Sequence, residues 1–461
     1  MKTKLVIATL IAAGAIASGA NAQAPAAPAT KPTIPQVCTN CHQAKPGNLQ
    51  GIFENVAFKS QAIQLKIDAN TEIVRFDPKT IKVVDVEKVG TGDMLRDIAK
   101  GREARIEFVE KDGAKVAQLI SFKGPVKIAP EKLVVLADVE KLVATGPEAG
   151  GYTLIDSRPL PRFQEGTIPT AINLPYPAFD KFVDRLPKDK GRLTVFFCQG
   201  VTCMMSPNSL RRAEAMGYTN VKVYREGMPE WQEKHYGVLA ATSLQEAWIA
   251  KDIPHVLIDV RPSSSVNDGF IPGAVSIPVS RIPGALAAMP AAKMKAPIMV
   301  YDGDGGTAAK LAAQLINDSG QINVNVVAGG FDAWKAAGYK VAGGSPATTV
   351  AYAPKPRPGE ISIEEFRKLA AATPADVLIL DVRNQDEANA GMIRDARLVP
   401  DEEILARLAE IPKDKRIIAH CSTGVRAEMA YHKLKEKGYN VGFVKATIEI
   451  DRNGNLKVSP V

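Results

Sequence analysis

The five cysteines of this 461-residue chain are the side chains most suited to chemistry. Five cysteines in this length are far fewer than a disulfide scaffold contains. An odd number also leaves at least one thiol outside any intramolecular disulfide. We therefore interpret the cysteines as sites of chemistry, and they fall in three places: Cys38 with Cys41, Cys198 with Cys203, and Cys421.

Cys421 follows an apolar run and precedes a helical pattern, which predicts a tight strand-to-helix loop over residues 421–426. Such a loop turns successive backbone N–H groups inward, and the following helix adds its positive end. This environment stabilises a thiolate, the nucleophilic form of cysteine. We predict that Cys421 is a nucleophile and that Arg426 holds an anion; the alternative is an inert buried thiol. The predicted substrate-binding loop residues are Ser422, Thr423, Gly424 and Val425.

Two further segments have the same layout. In the first, Cys198 stands at the nucleophile position and Cys203 replaces the arginine. We favour a reactive pair that resolves a persulfide or forms a reversible disulfide, and the alternative is a permanent disulfide in an inactive copy. The second has Asp302 at the nucleophile position and is expected to be structural or to serve in docking. The substrate-loop residues predicted for the first copy are Gln199, Gly200, Val201 and Thr202.

The elements that position these loops recur three times. A buried strand ends in Asp-x-Arg at residues 156–158, 259–261 and 381–383, and the nucleophile position follows the aspartate by about 40 residues in each copy. A Gly-x-Ile-Pro-x-Ala segment lies between them in two copies and is degenerate in the third. Strands that alternate with helical stretches predict an α/β fold, with a doubly wound parallel sheet in each of three copies.

The Asp-x-Arg strand, the Gly-x-Ile-Pro-x-Ala segment, the six-residue cysteine loop and a late Gly-x-x-x-Trp together resemble the rhodanese (thiosulfate sulfurtransferase) family. The late motif occurs at Gly227 and Gly330 and is absent from the third copy. The resemblance implies that cysteine accepts sulfane sulfur from a small anionic donor such as thiosulfate. The resulting persulfide then passes sulfur to a thiol, cyanide or a protein. The related cell-cycle phosphatases have a loop that is one residue longer. A loop of six residues therefore favours sulfur transfer over phosphate chemistry.

The other cysteine motif, Cys38-x-x-Cys41-His42, is typical of covalent haem c attachment, with His42 as an axial ligand of the haem iron. A disulfide or half of a zinc site are the alternatives. Met94 is the default second axial ligand, and Lys45 or a haem with one protein ligand are the other options. A haem would imply a redox partner protein.

The N-terminus predicts export. Residues 1–22 combine a positive start, a short apolar run and a small-x-small ending, which is typical of a cleaved signal peptide. The competing interpretation is an uncleaved membrane anchor. We expect a periplasmic or otherwise exported protein without a membrane span after cleavage. The net charge of +8 is scattered rather than clustered, so we expect no nucleic-acid partner.

These observations predict six segments. Residues 1–22 form the signal peptide, 23–35 a Pro/Ala linker, and 36–130 a small, mainly β domain that carries the haem motif. The three repeats follow over residues 131–240, 241–345 and 346–461. We expect an exported sulfurtransferase that bears a haem, and coupling of the haem to the sulfur chemistry is a hypothesis. The alternatives are a sulfur carrier or redox sensor without turnover, and an electron-transfer protein that uses the repeats as a scaffold.

Overall fold

The computed structural model describes residues 46–67, 70–111 and 113–460. The predicted fold class is confirmed: a mainly β region precedes three α/β units with parallel sheets. None of the helices in this part of the chain has the length and apolar character that a membrane crossing requires.

The β region is one curled sheet with strand order β3-β2-β1-β6-β7-β4-β5. β3 also pairs with β7 through Arg75 and Val116, so the sheet bends back toward itself. Alternate residues of β1 are buried, as the period-two pattern predicts. A short 3-10 helix, Gly92–Arg96, lies between β5 and β6. The strands are β1 (Asn48–Ala57), β2 (Ala62–Ile67), β3 (Asn70–Arg75), β4 (Lys82–Asp85), β5 (Lys88–Gly90), β6 (Glu103–Lys111) and β7 (Ala114–Phe122).

The first repeat is a five-stranded sheet with order β10-β9-β11-β12-β8, in which every pair is parallel. A 3-10 segment, Tyr176–Arg185, precedes β11. The elements are β8 (Leu133–Val134), α1 (Leu136–Thr145), β9 (Tyr152–Asp156), α2 (Leu160–Gln164), β10 (Ile172–Asn173), β11 (Leu193–Phe197), α3 (Met205–Ala215), β12 (Val221–Tyr224) and α4 (Gly227–Lys234).

The second repeat has the equivalent order, β13-β17-β16-β14-β15, again with parallel pairs only. β13 lies just before residue 241, where we predict the repeat to begin, and it pairs with β17 of the second sheet. The elements are β13 (Gly237–Ala240), α5 (Ala241–Ser243), which continues into a π-helical turn (Leu244–Ile249), β14 (Val256–Asp259), β15 (Val275–Ser276), α6 (Ile282–Ala285), β16 (Ile298–Tyr301), α7 (Thr307–Asp318), β17 (Val324–Ala328) and α8 (Gly330–Ala336).

The third repeat has the order β18-β22-β21-β19-β20 and adds an antiparallel hairpin, β23 with β24. Its elements are β18 (Glu360–Ile361), α9 (Ile363–Ala371), β19 (Val377–Asp381), α10 (Gln385–Ala388), β20 (Arg397–Leu398), β21 (Arg416–His420), α11 (Val425–Glu436), β22 (Val441–Val444), β23 (Thr447–Ile450) and β24 (Leu456–Ser459).

Each parallel sheet is buried on both faces. In the third repeat, Leu380 and Ala419 pack toward α11, whereas Ile379 and Ile418 pack toward Phe366 on the opposite side. Side chains of a strand alternate between faces, so a strand covered on both sides reads as a continuous apolar run. The site loops lie at the carboxyl ends of β11, β16 and β21, where open α/β sheets bind ligands.

A buried ion pair joins the elements at this edge in every repeat. In the second repeat, Arg261 donates from Nε to Oδ1 of Asp259 at 2.9 Å and from Nη2 to Oδ2 at 2.6 Å. Its Nη2 also donates to the carbonyl of Gly269 at 2.8 Å. The pair therefore ties the Asp-x-Arg strand to the glycine segment downstream. Asp156 with Arg158, and Asp381 with Arg383, repeat these contacts.

The buried ion pair predicts how much stability the second repeat loses when its carboxylate is removed. Asp259→Ala should lower the free energy of unfolding of the second repeat by about 3–5 kcal/mol, because the Arg261 guanidinium is left buried without its counter-ion. Denaturant unfolding followed by tryptophan fluorescence measures this, since Trp248 and Trp334 lie in that core. The matched control is Asp318→Ala at an exposed position. Equal effects of the two substitutions would contradict the prediction.

Candidate active site

The loop of the third repeat begins where β21 ends. Cys421 is 1% exposed and packs in the core cluster on the α11 side of the sheet. The backbone N–H of Gly424 donates to its Sγ at 3.1 Å. Gly424 has a φ of +89°, and a Cβ there would lie 2.7 Å from Cα of Lys445, so only glycine fits. This N–H, together with the positive end of α11, favours a negatively charged sulfur.

Arg426 is held by Glu387 of α10. Its Nη1 donates to Oε2 of Glu387 at 2.7 Å and its Nη2 to Oε1 at 2.8 Å, while Asn384 Oδ1 accepts a further bond. Ser422 Oγ donates to Glu387 as well. The guanidinium charge is therefore balanced within the protein. The prediction that Arg426 holds a donor's anion stays a prediction, and that anion would share the guanidinium with Glu387.

The same contacts fix the charge of Glu387. Burial alone would raise its pKa, but hydrogen bonds from Arg426, Ser422 and the Asn384 N–H bring the pKa well below its ordinary value. The stabilising contribution of the carboxylate is thus complete above its ordinary pKa of 4.5 and is lost as the pH falls below that value. Glu387 is ionised throughout the neutral range.

The β region contacts the rim of this site. Lys59, in the turn between β1 and β2, lies 3.3 Å from Oε2 of Glu387 and 3.4 Å from Oδ2 of Asp386. Beside it, Ala57 and Ala62 pack against Met429 of α11. Lys59 is half-exposed, so the ion pairs themselves contribute little. The apolar contact means that the helix which completes the Cys421 loop is also part of the interface with the β region.

His420 points away from Cys421, as the alternation of strand residues predicts. It is fully buried and lies beside the ring of Phe366 on the other face of the sheet. Burial lowers its pKa to about 4, and the Asp381 carboxylate 3.8 Å away opposes this only in part. His420 is therefore neutral at neutral pH and does not reach the sulfur.

In the first repeat, Cys198 and Cys203 form a disulfide across the loop, with Cα atoms 6.4 Å apart. Ser206 Oγ lies 3.1 Å from Cys198 Sγ. Gln199 Oε1 accepts a bond from Arg158 Nη1 at 3.2 Å, which links the loop to the buried ion pair. The structure thus brings the two predicted thiols together, and a reversible or a permanent bond remain alternative hypotheses.

In the second repeat, a carboxylate occupies the centre of the loop. Oδ1 of Asp302 accepts from the N–H groups of Gly305 at 2.6 Å and Gly306 at 3.0 Å, and Oδ2 accepts from Ala309 at 2.9 Å. Asp302 therefore satisfies the inward N–H groups that would otherwise hold a substrate anion. A carboxylate cannot form a persulfide, and the expectation that this copy is structural or serves in docking stays a prediction.

The late Gly-x-x-x-Trp motif holds the loop through a backbone hydrogen bond. The N–H of Met228 donates to the carbonyl of Cys198, and that of Phe331 to Asp302. In the third repeat, the hairpin β23–β24 takes this place, and Ile448 N–H donates to the carbonyl of Ser422 at 2.9 Å. The third repeat therefore lacks the Gly-x-x-x-Trp motif, but its loop is held by a hydrogen bond from the β23–β24 hairpin instead.

The haem motif cannot be placed in the same way. Cys38, Cys41 and His42, with Lys45, lie outside the described residues. Met94 is half-buried against the core of the β region, and its Sδ would lie 2.4 Å from a Cβ added at Gly90. Its role as an iron ligand stays a prediction. Among the described residues, no group of three or more His, Cys, Asp and Glu could hold a metal ion.

The fold and the loops together define the class of domain: a parallel α/β sheet with a strand-to-helix loop at its carboxyl edge, repeated three times. The rhodanese-like domain family matches residues 137–234, 242–337 and 362–449, which is more than half of the chain. The chain therefore belongs to the rhodanese-like family and carries three such domains in tandem.

Individual relatives cover shorter stretches. A sulfurtransferase from Allochromatium vinosum is 39% identical over 80 residues, which are 17% of this chain and 74% of that protein. The HTH-type transcriptional regulator Rv0324 of Mycobacterium tuberculosis is 42% identical over 86 residues, 18% of this chain. The chain spans about a third of that regulator's length, 36%.

Solved structures match at low identity. A thiosulfate sulfurtransferase from Pseudomonas aeruginosa is 17% identical, with a TM-score of 0.22, over 71% of this chain and 68% of that one. A rhodanese-related protein from Thermoplasma volcanium is 23% identical, with a TM-score of 0.17, over 19% of this chain and 82% of that one.

The Arg426–Glu387 pair predicts how tightly an anionic sulfur donor binds. Glu387→Gln should lower the KM for thiosulfate about fivefold, because the guanidinium charge is no longer balanced and about 1 kcal/mol of attraction becomes available. The glutamine keeps an acceptor for Ser422, so kcat should change little. Asp386→Asn, which removes the neighbouring exposed carboxylate, is the control. A raised KM for Glu387→Gln, or equal effects of both substitutions, would contradict the prediction that Arg426 holds the donor's anion.

Proposed function

We propose that the chain is an exported sulfurtransferase in which Cys421 carries sulfane sulfur as a persulfide. The observation that carries the proposal is the position of the thiol. Cys421 is the free cysteine of the described residues, it stands at the head of a strand-to-helix loop, and a backbone N–H is directed at its sulfur. Family membership supports the same chemistry.

The transfer proceeds in two displacements. The Cys421 thiol gives its proton to solvent, and the thiolate attacks the sulfane sulfur of a donor such as thiosulfate. A sulfur–sulfur bond forms at Cys421 while the bond to the sulfonate breaks, and its electron pair leaves on sulfite. An acceptor thiol or cyanide then attacks the outer sulfur, and the Cys421 thiolate is released. No net oxidant or reductant is required.

The loop suits a persulfide that is anionic at its terminal sulfur. The Gly424 N–H and the start of α11 supply fixed positive potential without reorganisation. Arg426 holds Ser422 and α10 in place through Glu387, so in this account it is first a positioning residue. A small anionic donor approaches a rim where Glu387 and Asp386 stand beside Lys59.

A second candidate is a sulfur carrier or redox sensor without turnover. The disulfide between Cys198 and Cys203 favours it, because a bond inside a loop of this kind can report the thiol–disulfide state of its surroundings. A carrier loads one sulfur and then stops, whereas an enzyme releases product in proportion to time.

Export and haem attachment are part of the proposal. Residues 1–22 fit a signal peptide, and the donor set of Cys38, Cys41 and His42 fits two thioether bonds and an axial imidazole. A bound haem would supply one-electron transfer to a redox partner protein. Coupling between that transfer and sulfur chemistry is a hypothesis based on the two sites sharing one chain.

Steady-state turnover separates the enzyme from the carrier. With thiosulfate and cyanide, Cys421→Ser should reduce thiocyanate formation at least about a thousandfold, since the hydroxyl cannot form a persulfide. Cys198→Ser is the matched control and should retain most of the activity. Turnover that persists without Cys421, or a wild-type reaction that ends after one equivalent, would contradict the enzymatic proposal.

Export from a host with haem-attachment machinery tests the N-terminal part. The mature protein should begin at residue 23 and should give a haem absorption spectrum that survives denaturation, because thioether bonds are covalent. The Cys38→Ser/Cys41→Ser double variant should be exported at normal length without haem. An uncleaved N-terminus, or a wild-type protein free of haem, would contradict the corresponding part of the proposal.

A further inference from the structure

The second repeat, which has no cysteine, contains a cavity of about 610 Å³. It lies at the carboxyl ends of β14, β15 and β16, where the other repeats carry their cysteine loops. Its polar lining comes from Arg261, Ser263, Ser280, Arg281, Asp302 and Asp304. A volume of this size is sufficient for a small organic ligand.

The chemistry of this cavity differs from that of a sulfur-transfer site. The Asp302 carboxylate already occupies the loop and accepts three backbone N–H groups. A second anion at this point would meet a like charge instead of free donors. The loop itself is therefore closed to the anionic donor of the other repeats, and any ligand must use the remaining lining groups.

Arg261 offers one such group. Its Nε and Nη2 donate to Asp259 and Gly269, and Phe331 lies against one face of the guanidinium. Its third nitrogen, Nη1, donates to neither Asp259 nor Gly269, and the Tyr301 side chain lies beside the guanidinium, which is only 8% exposed. In the first repeat, the corresponding nitrogen of Arg158 donates to Gln199. Gly303 stands in place of that glutamine, so both the partner and its volume are missing.

Two charged side chains complete the lining. Arg281 is exposed and forms no ion pair with any residue that the structure describes, and the same holds for Asp304. Arg281 follows Pro278 by three positions, and the equivalent positions of the other two repeats hold Ala178 and Glu403. The second repeat is thus the copy with a cationic side chain at this position, where the first has an uncharged residue and the third an anionic one.

We propose that this cavity binds a small zwitterion of the amino-acid type without reacting with it. One unbalanced cation and one unbalanced anion match a ligand that carries both charges. Its carboxylate would bind Arg281 and the Nη1 of Arg261, and its ammonium would bind Asp304, with Ser263 and Ser280 available for further hydrogen bonds. Cysteine belongs to this class, and the γ-glutamyl end of glutathione presents the same pair of charges. The site is independent of Cys421.

Calorimetric titration of the full chain tests the proposal with S-methyl-L-cysteine and S-methylglutathione, which cannot reduce the disulfide. Arg281→Ala should weaken binding about tenfold or more, the loss expected for a charge-assisted hydrogen bond. Gly303→Gln should do the same, because the glutamine fills the cavity and pairs with Arg261. The backbone at Gly303 accepts a side chain, since an added Cβ meets only Asp332 Oδ2, at 4.0 Å.

Arg452→Ala, at an exposed position in the turn between β23 and β24, is the matched control and should bind normally. Cys421→Ser should also bind normally, which separates this proposal from the sulfurtransferase activity. Thiosulfate should not compete. The proposal is overturned if neither probe binds, if binding survives either cavity substitution, or if thiosulfate competes as well as the zwitterions do.

Discussion

The buried Asp–Arg pair at the end of one central strand is the interaction on which each repeat depends. Taking both charges out of water is costly, and the cost is offset only when every donor and acceptor finds a partner. In the third repeat, Nε and Nη2 of Arg383 both donate to Asp381, and Nη2 also donates to the carbonyl of Gly391. These bonds hold the Asp-x-Arg strand and the following glycine segment in a fixed arrangement next to the cysteine loop. Because the pair recurs unchanged, the three loops start from the same frame.

The residue at the first position of each loop determines which group the loop contains. In the third loop, a backbone N–H is directed at the sulfur of a free cysteine, Cys421. A second cysteine five positions later closes the first loop as a disulfide. An aspartate fills the second loop with its own carboxylate and leaves space beside it. The same loop position thus holds a free thiol, a disulfide or a carboxylate, and our proposals of sulfur transfer, redox response and ligand binding follow from these three differences.

The sequence was informative wherever the determinants are local or repeated. The Asp-x-Arg strands, the loop positions and the face of His420 follow from alternation and from comparison of the three copies. Glu387 was missed, although Asn384 and Glu387 show the capping-box spacing that begins α10. That spacing predicts a helix start, but the reach of Glu387 to Arg426 depends on how two elements 39 positions apart pack. The contact of Lys59 with α10 spans 327 positions and has no local signal at all.

Peptide mass spectrometry of the protein after treatment with thiosulfate tests the central claim most directly. The account predicts one additional sulfur atom on the peptide that contains Cys421, removed again by cyanide. It predicts none on the peptide that contains Cys198 while the disulfide is intact. A Cys421 peptide that gains no sulfur, with the thiol shown to be reduced, would contradict the assignment of this loop as the sulfur-carrying site.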